Sequence, residues 1–186
     1  GLPSQSDLAR ALSEAGDTPD PDIIYAATEA TRAAMADAFA DLLPTLYRRH
    51  TVDAPFEPNA KQAGKRALSN AALSLLTRND DGVLAQEQYD AADNMTQQLS
   101  ALANLIRAGR GNKAVEAFEA QWKADRLVMD KWFGLQVIEA DPEDAHEVVE
   151  TLTKHPDFNW KNPNRFRAVF GSLAMHHAGF HHESGK

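Results

Sequence analysis

Asn162-Pro163-Asn164-Arg165-Phe166-Arg167 opens a helix, and the reading of the chain grows from it. Asn162 suits the N-cap, where a side-chain oxygen takes an orphan N–H of the first turn. Pro163 then falls at the first helical position, where a missing N–H costs nothing. Phe166, Val169, Phe170, Leu173 and His177 follow at three- and four-residue steps, the spacing of one apolar helix face. At about 100° per residue, Arg165 and Arg167 flank that face on opposite sides. A cation in a first turn works against the helix macrodipole. Two arginines there call for a carboxylate or a bound anion nearby, unless both are solvated or paired with surface acids.

The rest of the chain has the same helical grain. Leu127-Val128-Met129-Asp130-Lys131-Trp132-Phe133 is apolar on several sides and reads as a centrally buried helix. Asp93-Asn94 is a break and a new cap, followed by one face at Met95, Leu99, Leu102 and Ile106. An earlier helix from about Asn59 to Arg78 places Ala67, Leu68, Ala71, Ala72, Leu75 and Leu76 inward. An alanine-rich stretch from Asp22 to about Arg49 is helical with Pro44 kinking or splitting it. Asn79-Asp80-Asp81-Gly82 and Gly109-Arg110-Gly111 are turns. No segment alternates like a strand. The expected fold is all-α, roughly eight or nine helices in an α-solenoid-like (HEAT/ARM-type) stack of antiparallel pairs, within one helical domain over residues 1–186.

Composition removes several function classes. The 186 residues carry 19 Lys plus Arg against 27 Asp plus Glu, a net charge of −8, which repels nucleic acid and anionic membrane. With no cysteine, disulfides and thiolate sites are excluded. No apolar run is long enough to span a membrane.

Chemistry has few footholds. His146-Glu147-Val148-Val149-Glu150 begins like the zinc-protease helix, but that motif needs a second histidine where Glu150 stands. His176-His177-Ala178-Gly179-Phe180-His181-His182 has the ligand density for a transition metal, yet His177 lies on an apolar face, where a hydrogen-bonded core histidine is the simpler account. No nucleophile elbow, phosphate loop or dinucleotide fingerprint is present. The residues themselves describe a helical domain with no catalytic centre of its own and no assigned metal site, with metal binding by the His176–His182 cluster left open.

The stretch Asn162 to Gly171 resembles the C-terminal helical domain of bacterial aminopeptidase N, a family of zinc-dependent exopeptidases. Leu2-Pro3-Ser4, Ala91-Ala92-Asp93-Asn94-Met95-Thr96 and Leu127 to Phe133 carry the likeness in the same order, so it spans nearly the whole chain. The resemblance implies a piece of a longer bacterial cytoplasmic polypeptide, with the zinc held in a separate catalytic domain and no cofactor in this part. It implies that this part closes over that domain, its partner, and encloses the cavity in which short peptides lose their N-terminal residues. It assigns Arg167, Arg165, Asn164 and Asn162 to the cavity wall, with Arg167 facing substrate and Arg165 supporting the helix entry. Further C-terminal helices of the family domain are expected beyond this chain. Two departures are visible: no Asn-Pro step precedes Phe180-His181, and Ser184 stands where the family carries Asp. The alternative from a different class is a helical-repeat module whose concave face binds a protein partner.

Overall fold

The computed structural model describes residues 2–182. Its helices are α1 (Gln5–Glu14), α2 (Pro21–Ala38), α3 (Leu43–His50), α4 (Ala60–Asp80), α5 (Val83–Ala91), α6 (Met95–Arg107), α7 (Asn112–Trp122), α8 (Arg126–Ile138), α9 (Ala145–Thr153), α10 (Pro163–Phe166), α11 (Ser172–Met175) and α12 (His177–Phe180). A π turn, Arg167–Gly171, joins α10 to α11 without a break, so these three count as one helix and the described residues hold eleven. The expected eight or nine fall short for two local reasons. Pro44 splits the alanine-rich stretch outright, sitting in the first turn of α3, where its ring does no harm. His176 ends the last helix and caps a further short one.

Polar caps set most of the other boundaries. Ser4 and Asp7 form a reciprocal capping box on α1. Asn59, Asn94 and Asp125 each accept from backbone N–H groups two or three residues on. Asp81 (φ 56°) and Gly82 (φ 82°) both take the left-handed conformation that stops α4 and starts α5.

The chain folds as two compact units, one of residues 1–31 with 122–186 and the other of residues 32–121. In the second, α4 packs against α3, α5 and α6, and α5 against α6. Leu43, Ala72 and Leu76 form a core joined by Leu46, Tyr47, Leu75 and Leu84. The buried face of α4 is Gln62, Arg66, Ser69, Ala72, Leu73, Leu76 and Thr77. It is rotated from the apolar face expected from sequence, and Leu68 is left exposed. The rotation follows from polar residues that satisfy one another inside, as described for Arg66 below.

In the first unit α8 is the central helix, packed against α9, α10, the π turn and α11. Val128, Met129, Trp132, Phe133 and Val137 are buried, as the apolar run suggested, while Leu127 is exposed. Val149 and Leu152 of α9, Val169 of the π turn and Ala178 of α12 complete this core.

Candidate functional site

Asn162 caps α10 as its sequence position foretold, accepting from Asn164 N at 3.0 Å and Arg165 N at 3.4 Å, with Pro163 in the first turn. The cap directs the next side chains, and here the structure departs from the expected face. Arg165 points inward, 4% exposed, and Val169 follows it four residues on, fully buried. Phe166 and Phe170 lie one step round on the outer side, stacked at 4.6 Å, with Phe166 41% exposed. Phe166 therefore does not lead the buried face; Arg165 does.

A guanidinium reaches that position because it is paired with a carboxylate and hydrogen-bonded to a carbonyl. Its Nε donates to Asp130 Oδ1 at 2.7 Å, and NH1 donates to the Asp157 carbonyl at 3.0 Å. Its plane lies 4.2 Å from the Phe133 ring centroid, within cation–π range. Asp130 and Phe133, three residues apart on α8, form the two sides of this seat. The anion that the first-turn arginines called for is, for Arg165, an internal one.

Arg167 differs in every respect. It is the first residue of the π turn, its side chain is exposed, and it makes no ion pair or side-chain hydrogen bond with a described residue. Asn164 is also exposed and Asn162 half-buried. Beside this turn runs an aromatic ridge: Trp160 (62% exposed) contacts Phe158 at 5.0 Å and Phe170 at 5.5 Å between ring centroids. The ridge continues inward through Phe158, Phe133 and His155. The exposed Arg167 thus follows Phe166 directly and shares its turn with Phe170, a set of residue types suited to a ligand with both a carboxylate and apolar side chains.

The histidine-rich segment is structural where it is buried. His176, rather than His177, is the core histidine: Nε2 lies 2.8 Å from the Ala140 carbonyl, and Nδ1 accepts from Gly179 N at 3.0 Å. Both ring nitrogens are therefore occupied, Nδ1 in capping α12 and Nε2 on the Ala140 carbonyl. His181 is exposed against Phe180. Glu150 pairs with Lys154 at 3.6 Å rather than acting with His146. Ser184 and Lys186 lie outside the described residues.

Sequence reasoning passed over Asp130, Phe133 and Gly134, which hold the arginine-bearing turn from the α8 side. A signal existed: Asp130 is a carboxylate inside an apolar run, and such a residue is buried only with a partner.

The whole chain, residues 1–186, matches a family described as a domain of unknown function (DUF3458_C) made of ARM repeats. The chain belongs to this ARM-repeat family. The all-α solenoid class read from periodicity agrees with it. Similar proteins include the Aminopeptidase N of Caulobacter vibrioides, 37% identical over 99% of this chain and 21% of that protein. The Aminopeptidase N of Haemophilus influenzae is 35% identical, again over 99% of this chain and 21% of its own length. Among solved structures, Legionella pneumophila aminopeptidase A in complex with aspartic acid aligns with a TM-score of 0.83 at 29% identity, covering 97% of this chain and 22% of that one. The likeness to bacterial aminopeptidase N seen in four short segments thus extends over the full chain, which spans about a fifth of the length of these relatives. No helix among the described residues is long and apolar enough to cross a membrane.

Proposed function

We propose that this chain is the non-catalytic C-terminal helical domain of a zinc-dependent aminopeptidase of the bacterial cytoplasm. In this reading it covers the catalytic domain of the same polypeptide and walls the cavity in which short peptides are trimmed. The observation that carries it is Arg167. Similarity over the whole chain supports the family, and within the stretch that first suggested it, one arginine is consumed internally while the other stays exposed beside an aromatic ridge.

The zinc would be held elsewhere in the longer polypeptide and would activate water for attack on the scissile amide. In the two histidine-bearing stretches read from sequence, Glu150 pairs with Lys154 and His176 has both nitrogens engaged, so these two side chains would not serve as ligands. The work of this chain's residues is positional. Arg167 would clamp the C-terminal carboxylate of a short peptide through charge-assisted hydrogen bonds, stronger once closure removes competing water. Trp160, Phe166 and Phe170 would carry the peptide's apolar side chains. Arg165 would support this wall from behind, since its guanidinium is occupied by Asp130, the Asp157 carbonyl and Phe133.

The test is Arg167→Ala in the full-length polypeptide, assayed on di- to tetrapeptides and on a chromogenic alanine anilide, which has no C-terminal carboxylate. Loss of hydrogen bonds to a charged group is worth about 1.5–3 kcal/mol, so kcat/KM on peptides should fall at least about tenfold. The anilide should be cleaved as before, with zinc content unchanged. Equal kinetics of variant and parent on every peptide would remove Arg167 from substrate binding.

A further inference from the structure

The face of α8 that grips Arg165 continues one residue further. Asp130, Phe133 and Gly134 stand at i, i+3 and i+4, so they share one side of that helix. The first two hold Arg165, at the start of the arginine-bearing helix. Gly134 lies against the π turn. A Cβ placed on it would come within 3.0 Å of the Ala168 carbonyl oxygen and 3.0 Å of Ser172 Oγ. One of these obstacles is backbone and cannot rotate away. A side chain at 134 would require the π turn to give by a few tenths of an ångström against α8.

The turn it would push is the one that begins with Arg167. A π turn closes i→i+5 bonds, is rare, and recurs as a single bulge at functional sites. Here it lies between two fixed points on α8: the Arg165–Asp130 pair on one side, and the close backbone approach at Gly134 on the other.

We propose that Gly134 is a positioning residue for Arg167: by having no side chain, it lets the π turn seat on α8 and so sets where the Arg167 guanidinium projects. The inference rests on the reading of Arg167 as the carboxylate clamp. It assigns a role to a residue that touches no substrate. A purely structural glycine would serve equally well under any chemistry on the outer face. A positioning glycine matters selectively for substrates that use Arg167.

The experiment is Gly134→Ala in the full-length polypeptide, with kcat/KM measured on a tripeptide and on the alanine anilide. A displacement of about 1 Å in a binding group costs up to about 10²-fold, and the shift expected here is a few tenths of that. The tripeptide-to-anilide ratio should therefore fall by roughly threefold to fivefold. The fall should lie mainly in KM, and Arg167→Ala should show the same pattern. Gly134→Ala with Ser172→Ala removes the Oγ half of the clash and should recover part of the ratio. It also supplies a folded variant if Gly134→Ala alone does not accumulate. Gly64→Ala, where a Cβ meets nothing within 4 Å, should leave the ratio unchanged.

Equal loss on both substrates in a folded Gly134 variant, or no loss on either, overturns the proposal while leaving the clamp standing. An Arg167→Ala enzyme with no selective loss removes the clamp and this inference with it. A selective loss in Arg167→Ala without one in Gly134→Ala removes the inference alone.

Discussion

Two arginines of this chain are buried to the same degree by different means. Arg165 in one unit and Arg66 in the other are each 4% exposed, and each lies over a phenylalanine, Phe133 at 4.2 Å and Phe56 at 4.7 Å. Arg165 has a carboxylate, Asp130 at 2.7 Å. Arg66 instead donates to neutral acceptors: NH1 to Gln62 Oε1 at 2.9 Å and NH2 to the Glu57 carbonyl at 3.3 Å. Gln62 also accepts from Glu57 N and donates to the Pro55 carbonyl, so Arg66 closes a network that ties down the loop before α4. A neutralised cation can sit deep in an aromatic core. A cation served by amide dipoles sits where a loop folds over it, with Phe56 itself 46% exposed. The first arrangement concentrates its energy in one pair and the second spreads it over several weak bonds.

That contrast orders the expected effects of breaking each. Asp130→Ala leaves the Arg165 charge buried without a counter-ion and should cost about 3 kcal/mol, the low end for a broken buried pair. The low end applies because the Asp130 side chain keeps 19% exposure. The urea midpoint of the chain reads this directly. Adding Arg165→Leu should return a good part of the loss, because the unpaired charge goes with it. Strict additivity of the two changes would show that they do not act as a pair.

Gln62→Leu should do less, about 1–2 kcal/mol, since Arg66 keeps the Glu57 carbonyl as an acceptor and the other donor orphaned is the neutral Glu57 N–H. Its distinctive result should be faster amide exchange at Glu57, whose N–H loses its 2.9 Å acceptor. Unchanged exchange there would mean that the loop does not depend on this network.

The smallest effect is expected where an arginine–carboxylate pair is fully exposed. Arg110 donates two hydrogen bonds to Asp81, and that hydrogen bonding, with the nearby charge, holds the Asp81 carboxyl below its usual range. A lowered folded-state pKa means that the contribution is present above the ordinary carboxylate range and is lost as pH falls through the lowered value. Arg110→Gln should therefore match the parent in strong acid and differ from it only slightly at neutral pH. A large difference at neutral pH would show that this surface pair carries weight usual only for buried ones.

Local features were legible in advance because neighbours in sequence decide them. Asn162 and Pro163 start their helix as read, Asn94 caps α6, and Pro44 divides its stretch. The buried character of α8 was also evident from its run of apolar residues. Which residue leads a buried face was less so. On α10 the apolar pattern favoured Phe166, yet Arg165 is inside, because its partner lies 35 residues earlier in the chain. On α4 the same error placed Leu68 inward in preference to Arg66, whose acceptors come from the preceding loop. Among the histidines, the buried one proved to be His176, which bonds the Ala140 carbonyl 36 residues away.

The amino-acid sequence by itself determined that this protein is all-helical, where most helices begin and end, and to which family of helical domains it belongs. The first two follow from capping, proline geometry and apolar period, interactions that close within a few residues, and the family from the resemblance of four quoted segments. Only the tertiary structure decided that Arg165 is consumed inside while Arg167 is left outside, two residues apart on one helix. The deciding contacts, Asp130, Phe133 and the bare backbone of Gly134, come from another helix. Periodicity treats every cation as a surface residue, and a buried cation becomes stable only when packing brings it a counter-charge from far along the chain.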